Sequence, residues 1–385
     1  MTLGDRACGS RHPMVDTPVL VPATAADPVD VVHASVARFD APARSAGGGA
    51  ARSAADARTA AVAEALERYA ASTATVPIRR ASEVAPGRRT RLADVTLHSE
   101  QQRRSDDFPH ADAYPDDEYL GQVFRLDTNE EHWVPAALVS LTDDHGALAT
   151  SSGLAAATTV TTALLRGLQE LVERDAFVST WLHGLGGREV ATPEVGRELH
   201  RLGGEMRVFD ITPHWSPHPV ALVTGTAPLS GAPRHSLGVA CRASWPAAVE
   251  KAALECCQGI VFVGHELGRR PHLVGISADG VHGFDEHAIF YTANPAAWAE
   301  LPLFRRATVA PTPPDAPPAV ADDADEAERL GELVGRLSAA GVAAFYRELT
   351  TVDCNQLGLR VVRVVAPALT PLHHDHRWPF LGGTT

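Results

Sequence analysis

Glu170-Leu-Val-Glu173-Arg174 is the most informative stretch of this chain, because its ExxER spacing occurs again at Glu64-Ala-Leu-Glu67-Arg68. A third copy, Glu255-Cys-Cys-Gln258, has an amide in place of the second carboxylate. Each copy lies in a run rich in Ala, Leu and Val that predicts a helix. Residues i and i+3 of a helix share one face, with Cβ atoms roughly 5–6 Å apart. The copies therefore predict three helices that each direct two oxygen-bearing side chains to one side.

These side chains indicate a site for a hard cation. Carboxylate and amide oxygens brought together repel one another unless cations lie between them, and oxygen ligands suit Mg2+. A single ExxER usually lies on a solvated helix face, and this is the alternative interpretation. Both full copies are instead flanked by apolar residues, such as Leu66 and Tyr69 in the first and Leu171 and Phe177 in the second. Charges so close to a packed face need partners, which favours a metal–phosphate site.

The composition indicates a cytoplasmic protein and excludes several classes of function. The 385 residues are 45% hydrophobic, enough for a large core, and their net charge of −13 argues against nucleic acid as a partner. No run approaches the ~20 apolar residues of a membrane span, and the N-terminus lacks the pattern of a secretory signal. The five cysteines include no CxxC pair, so we expect reduced thiols rather than disulfides or a zinc ribbon.

The pattern along the chain predicts a mixed fold of the α/β or α+β class. Residues 1–28 predict a disordered N-terminal segment, and residues 29–385 a single domain with surface loops at 98–118 and at the Pro-rich run 308–318. Helices are predicted over residues 54–71, 158–182, 247–259 and 325–340, and strands over 122–126, 133–141, 206–211, 220–226, 235–240, 342–346 and 360–365. Long helices beside such strands indicate helices packed on sheets.

Other motifs each allow a structural and a functional interpretation. Ser151-Ser152-Gly153 predicts an N-cap of the central helix, with a phosphate contact at that helix start as the alternative. Gly47-Gly48-Gly49 predicts a flexible turn and matches neither a Walker A loop nor a Rossmann fingerprint. His373-His374-Asp375-His376 offers ligands for zinc or nickel, but adjacent residues point in different directions. Nothing in the sequence marks a cysteine as a nucleophile activated by a neighbouring base.

The order of these motifs resembles the YcaO superfamily over roughly residues 40–383. Residues 151–177 with Trp181 resemble its central signature, residues 57–69 its first ATP-binding helix and residues 238–258 its third. Residues 284–291, 349–353 and 360–367 resemble the branch that forms thiazoles and oxazoles in peptides.

This resemblance implies a YcaO-type fold, with long helices packed on β-sheets around an ATP site that has no P-loop. It implies an enzyme that uses ATP and Mg2+ to convert Cys, Ser or Thr of a ribosomally made precursor peptide into azolines. By the same resemblance Mg2+ would bind Glu64, Glu67, Glu170 and Glu173, and the nucleotide would contact Arg68, Ser152, Arg174, Glu255 and Gln258. It assigns no catalytic residue.

The chain also departs from the family pattern. Ser152 stands where the family usually has Asn, Gly48 where a Lys is common and Thr162 where a Glu is common. The sequence ends at Thr385 without the PxPxP tail of many azoline-forming members. Two alternatives therefore stay open: backbone thioamidation or macroamidine formation with the same ATP activation, and a non-catalytic scaffold that binds a leader peptide or a partner.

The resemblance also implies partner proteins. The first 40 residues are too few and too irregular for a leader-binding winged helix, so a separate partner resembling a ubiquitin-activating enzyme is expected to bind the leader of the precursor peptide. A flavin dehydrogenase acting downstream is a further expected partner. The apolar helix surface is compatible with a homodimer.

Overall fold

Long helices packed on antiparallel sheets form the architecture of this protein, for which the computed structural model describes residues 3–8, 14–25, 27–38, 41–141, 150–229, 232–310 and 325–383. The helices are α1 Leu3–Ala7, α2 Ala54–Thr73, α3 Glu100–Arg103, α4 Val160–Leu182, α5 Arg197–His200, α6 Trp245–Arg269, α7 Phe284–Ala293, α8 Pro295–Ala299, α9 Pro302–Arg305, α10 Glu326–Ala339 and α11 Val352–Gln356. The strands are β1 Val19–Leu20, β2 Val32–Arg38, β3 Ala41–Ala51, β4 Ile78–Arg80, β5 Tyr119–Arg125, β6 Glu131–Pro135, β7 Leu154–Ala157, β8 Arg188–Val190, β9 Glu205–Asp210, β10 Val220–Leu229, β11 Ala232–Cys241, β12 Thr308–Ala310, β13 Phe345–Glu348 and β14 Arg360–Val365.

In the part of the chain that the structure describes, the strands form three sheets. Their orders are β1-β2-β3, β11-β10-β9-β8-β12 and β4-β5-β13-β14-β7. In the last of these sheets a sixth strand, β6, also pairs with β5. β8 and β12 run parallel, and the other pairs are antiparallel, as in the hairpin that aligns Val220 with Cys241. The predicted mixed class is confirmed, and the antiparallel pairing makes it α+β.

Each of the three long helices that carry a motif buries its apolar face against its own part of this framework. α2 packs Val62 and Leu66 in one buried cluster, α4 packs Leu164 and Leu168 in another, and the Ala-rich face of α6 lies in a third. Side chains three or four positions apart share a face, so the polar sides of the helices are left free of the core. The motif residues lie on those polar sides.

A close approach between β11 and α6 positions the third motif. A Cβ atom on Gly238 would lie 2.1 Å from the carbonyl oxygen of Ala252 and 2.8 Å from Cβ of Glu255. No side chain fits in that space, so the glycine lets the helix lie directly on the strand. Glu255 is thereby held beside β11, the outer strand of its sheet.

The predicted helices are confirmed, with bounds set by capping residues. Ser53 accepts a hydrogen bond from Asp56 N at the start of α2, and Thr159 accepts one from Thr162 N at the start of α4. The predicted end of the third helix at Gly259 is wrong, because α6 continues to Arg269. Gly259 is required by packing, since a Cβ there would lie 1.9 Å from Oγ of Ser236.

Two predictions for glycine-containing motifs are also wrong. Gly47-Gly48-Gly49 lies within β3 and not in a turn. A Cβ on Gly47 would lie 2.3 Å from the carbonyl oxygen of Ala61, so glycine lets α2 pack directly on this strand. Ser151-Ser152-Gly153 does not cap α4, since Thr159 does so and β7 lies between them. Gly153 has φ of +82° and forms the turn that leads into β7.

The predicted surface loops and the predicted N-terminal segment each contain short helices or strands where the structure describes them. Within residues 98–118 the structure has the short helix α3, and residues 308–310 of the Pro-rich run form β12, while residues 311–318 lie outside the described residues. Within residues 1–28 it describes α1 and β1, which pairs with β2. The division at residue 28 stays a prediction. None of the helices described is both long and apolar enough to cross a membrane.

Candidate functional site

The motif carboxylates line one open cavity of about 900 Å3 between α2, α4 and α6. Of the nine predicted site residues, eight belong to this lining: Glu64, Glu67, Arg68, Glu170, Glu173, Arg174, Glu255 and Gln258. Residues far apart in the sequence are therefore brought together in the structure. The repeated spacing predicted that the three helices direct these side chains to one place, and in the structure they line one cavity.

Main-chain amides of the neighbouring strands and turns hold three of these carboxylates. Gly48 N donates to Glu64 Oε2 at 2.8 Å, and Gly153 N donates to Glu170 Oε2 at the same distance. Cys241 N, at the end of β11, donates to Glu173 Oε2 at 3.1 Å. Hydrogen bonds from N–H groups favour the charged form of a carboxylate and fix its orientation. The sequence motif did not reveal these backbone partners.

A cation four positions away on the same helix pairs with the first glutamate of each motif. Arg68 Nη2 lies 2.6 Å from Glu64 Oε1, and Arg174 Nη2 lies 2.5 Å from Glu170 Oε1. In the third helix the order is reversed, and Lys251 Nζ lies 3.0 Å from Glu255 Oε1. The two arginines therefore orient carboxylates in this structure.

Ser152 is the predicted site residue that the structure does not place in the cavity. Its side chain is buried, and Arg174 Nη1 donates to its hydroxyl oxygen at 2.6 Å. The neighbouring Ser151 lines the cavity instead. Ser152 thus acts on the cavity through Arg174.

The second glutamate of each full motif is a buried carboxyl group that holds its proton more tightly than an exposed one does. Desolvation, followed by the nearby charges of Glu170 and Glu64, raises the pKa of Glu67 to about 8. Burial and the charge of Glu255 raise the pKa of Glu173 as well. Carboxylates crowded in this way lose their protons readily only when a cation joins them. The donor set therefore fits a hard divalent cation.

Cations that the sequence analysis missed also line the cavity. Arg166 precedes Glu170 by four residues and Lys251 precedes Glu255 by four, so helical spacing was a signal that could have found both. Arg242 follows β11 and could not be recognised from the sequence pattern. Together with Arg68 and Arg174 these residues give the cavity positive groups suited to phosphate oxygens.

A buried arginine supports the carboxylates from the side of the sheet. Arg363 in β14 donates through Nε to Leu138 O and through Nη2 to Thr150 O, both at 2.6 Å. Burial lowers its pKa to about 10, while the negative charges of Glu170 and Glu67 act in the opposite direction. Its charge therefore favours ionised glutamates in the cavity.

Preformed metal coordination is not part of this arrangement. Among the described residues, no group of three or more His, Cys, Asp or Glu side chains is already close enough to hold a metal ion. This applies to the cavity carboxylates and to His373-His374-Asp375-His376.

The cysteines next to the cavity are not activated. Burial raises the pKa of the Cys241 thiol well above its ordinary value, and it raises that of Cys257 to about 12. A thiol of this kind is neither a nucleophile nor a metal ligand near neutral pH. This agrees with the sequence analysis, which found no activated cysteine.

The raised pKa of Glu67 predicts a pH dependence of stability in metal-free protein. A carboxyl group whose pKa rises from 4.5 on folding to about 8 binds more protons in the folded chain between those pH values. Its contribution to the free energy of unfolding therefore falls as the pH rises. We expect the unfolding temperature of the wild type, relative to that of Glu67→Gln, to fall between pH 6.5 and 8.

The pH window and the control isolate this carboxyl group. Buried histidines with lowered pKa values, such as His218 and His235, bind fewer protons in the folded than in the unfolded chain near pH 6.5, where an unfolded imidazole is still partly protonated. This contribution is the same in the wild type and in Glu67→Gln, so it cancels in the difference between their unfolding temperatures. The exposed Glu328→Gln on α10 is the control and should follow the wild type. A constant difference between wild type and Glu67→Gln across this window would refute the assignment.

A family model and several solved structures match most of this chain. The family model described as YcaO cyclodehydratase, ATP- and Mg2+-binding, matches residues 48–370. A solved heterocyclase in complex with substrate and cofactor superposes with a TM-score of 0.73 at 19% identity, covering 93% of this chain and 50% of that one. The present chain thus spans about half the length of that heterocyclase. No curated protein sequence matches the chain significantly.

Two further solved structures are similar over nearly their whole length. YcaO from Methanopyrus kandleri, bound with AMPPCP and Mg2+, has a TM-score of 0.65 and 20% identity over 96% of this chain and 89% of that chain. The E. coli microcin synthetase McbBCD complex with pro-MccB17 bound has a TM-score of 0.64 and 16% identity, covering 94% and 89%. At these identities the likeness shows the fold.

Proposed function

Because the chain belongs to the YcaO family of ATP- and Mg2+-binding cyclodehydratases, we propose that it forms azoline rings in a ribosomally made precursor peptide. The substrate residues are Cys, Ser or Thr. The YcaO-type fold and the use of ATP and Mg2+ implied by the sequence resemblance are confirmed by the family match and the structural neighbours. The ring-forming reaction and its peptide are our inference.

The observation that carries this proposal is the set of oriented carboxylates in the large cavity. Glu64 and Glu170 are each held by a main-chain N–H and by an arginine, while Glu67 keeps a raised pKa that a cation would lower. These glutamates would hold Mg2+, which would neutralise negative charge on the phosphate groups of ATP. Phosphoryl transfer needs such positioning more than covalent help from the protein.

The proposed reaction uses phosphorylation to remove an amide oxygen. The thiol or hydroxyl of the substrate Cys, Ser or Thr gives up its proton to solvent as its sulfur or oxygen adds to the preceding carbonyl carbon. This closes a ring and leaves the former carbonyl oxygen negatively charged. The former carbonyl oxygen takes the γ-phosphoryl group of ATP, leaving ADP. The C–O bond then breaks, phosphate departs, and the ring nitrogen loses its proton to give a thiazoline or oxazoline. Oxygen expelled as phosphate is a far better leaving group than hydroxide.

The residues of this chain have distinct parts in that scheme. Glu64, Glu67, Glu170 and Glu173 are the proposed metal ligands, with Glu255 and Gln258 as contacts to the nucleotide. Arg68 and Arg174 orient the first glutamates and face the cavity, where they can also meet phosphate oxygens. Gln258 lies against Gly48, since a Cβ on that glycine would be 2.7 Å from its Nε2. A longer side chain at Gly48 would therefore displace Gln258.

Mass spectrometry of the peptide product tests the proposal. The protein is incubated with ATP, Mg2+, a leader-binding partner and a Cys/Ser/Thr-rich precursor peptide. We expect the peptide to lose the mass of one water for each ring formed, with no change when ATP or Mg2+ is omitted. A gain equal to replacing oxygen by sulfur would show thioamidation instead. If no ATP is consumed under any of these conditions, the result would favour the non-catalytic scaffold.

The partners proposed for this chain follow from its family. We propose a separate leader-binding protein resembling a ubiquitin-activating enzyme and a flavin dehydrogenase that acts after ring formation. One solved neighbour is itself part of a complex of several proteins with its peptide bound. Co-purification of the chain with these candidates, with and without the precursor peptide, measures the interaction directly.

A further inference from the structure

An apolar cavity of about 440 Å3 adjoins the acidic one and is lined by none of the motif glutamates or arginines. Its walls come from α4, β11, α6, α7 and the C-terminal residues 372–379. Phe177, Leu237 and Phe284 line both cavities, so the two lie side by side. A group in the apolar cavity would therefore lie next to one bound among the carboxylates.

The apolar cavity is lined by aromatic rings in fixed contact with one another. Trp181 meets Tyr291 edge-on with ring centroids 5.4 Å apart, and His235 stacks on Trp298 at 4.8 Å. Offset-stacked and edge-on packing of this kind suits a further flat ring. The volume accommodates one large side chain with room for its backbone.

Histidines add hydrogen-bonding capacity without charge. His235 is 94% buried, contacts Thr226 Oγ1 through Nδ1, and has no hydrogen-bond partner for Nε2 among the described residues. His287 Nε2 and His373 Nδ1 are also buried, and neither has a hydrogen-bond partner among the residues that the structure describes. Burial lowers the pKa of each of these histidines to about 4, so they are neutral at pH 7. Neutral rings neither attract nor repel a charged group strongly, and an unpaired buried nitrogen favours an occupant that can hydrogen-bond to it.

We propose that this apolar cavity binds a large uncharged side chain of the peptide substrate, aromatic in preference, which flanks the residue being modified. The proposal rests on the proposed function, because the lining shared with the nucleotide cavity is what places the flanking residue there. An acidic side chain would be disfavoured twice, by the apolar walls and by the carboxylates across the shared edge. A charged lysine would lose its hydration without gaining a partner in the apolar part.

Filling the apolar cavity is the direct test. Ala288 on α7 lines it and is exposed at its mouth, so a larger side chain can be placed there without entering the core. Ala288→Leu and Ala288→Trp give a graded filling, and Ala299→Trp, on the exposed end of α8 outside the lining, is the matched control. The probes are N-acetylphenylalaninamide and N-acetylaspartic acid amide, titrated by ligand-observed NMR with Mg2+ and AMPPCP present.

We expect N-acetylphenylalaninamide to bind the wild type and the control alike and at least tenfold more tightly than N-acetylaspartic acid amide. Its affinity should fall progressively in Ala288→Leu and Ala288→Trp, about tenfold in the latter, while the affinity for Mg2+–AMPPCP stays unchanged. Equal binding of the two amides, or binding unaffected by Ala288→Trp, would overturn the proposal. Failure of the wild type to bind Mg2+–AMPPCP would instead refute the proposed function, and the amide titration would still report on the apolar cavity.

Discussion

Replacing Glu170 by glutamine is expected to lower ATP turnover by on the order of 10^2- to 10^3-fold, as removal of one preorganised electrostatic group does in other enzymes. The glutamine side chain has the same size and can still accept the hydrogen bond that Gly153 N donates to Glu170. What it lacks is the negative charge that faces the cavity and pairs with Arg174. The loss therefore reports on charge and not on shape. Turnover is measured with peptide and partner present at saturating ATP.

Controls separate this effect from a loss of folding. The unfolding temperature of Glu170→Gln in metal-free buffer should equal or exceed that of the wild type, since one of the repelling carboxylates is removed. Glu328→Gln, an exposed glutamate on α10, should leave turnover unchanged. Wild-type turnover in Glu170→Gln would be incompatible with a metal–nucleotide site built on this residue.

Replacing Gly238 by alanine is expected to lower the free energy of unfolding by about 1–3 kcal/mol, the usual cost of forcing an extra carbon into a packed interior. The new Cβ would lie 2.1 Å from Ala252 O and 2.6 Å from Cys256 N, so β11 and α6 must move apart. Because Glu255 is carried by the same turn of α6, its position in the cavity changes as well. We expect weaker binding of Mg2+–AMPPCP together with the loss of stability, measured by calorimetry and chemical unfolding.

A glycine with open space supplies the matched control. Gly331 lies in the middle of α10, and a Cβ there would meet nothing within 4 Å. Alanine has the higher helix propensity, so Gly331→Ala should stabilise the protein by roughly 0.5–1 kcal/mol and leave nucleotide binding unchanged. If Gly238→Ala were as stable as the wild type, the close contact between β11 and α6 would not be what positions Glu255.

The helices and the carboxylates of the cavity could be predicted because both depend on local sequence. Apolar residues at helical spacing predicted α2 and α4 to within a few residues, and the ExxER copies placed the glutamates on the polar faces of those helices. α10 was predicted in the same way over residues 325–340, and the structure has it at Glu326–Ala339 with Asp325 as its N-cap. Local propensity and the tertiary fold agree in these segments.

The remaining features depend on contacts between distant parts of the chain. The amide of Cys241 reaches Glu173 only because β11 ends beside α4, and no spacing in the sequence reports that contact. The third helix was predicted to end at Gly259, yet α6 continues to Arg269 and Gly259 packs against Ser236 inside it. The apolar cavity combines α4, α7 and the C-terminal residues, which become neighbours only in the folded chain.

Calorimetric titration of the metal-free protein with AMPPCP, with and without Mg2+, tests the central claim most directly. That claim is that the carboxylates of α2, α4 and α6 hold a nucleotide through a divalent cation. We predict saturable binding at one site per chain in the presence of Mg2+, and at least tenfold weaker binding when EDTA replaces the metal. Equal affinity under both conditions, or no binding with Mg2+, would contradict the account.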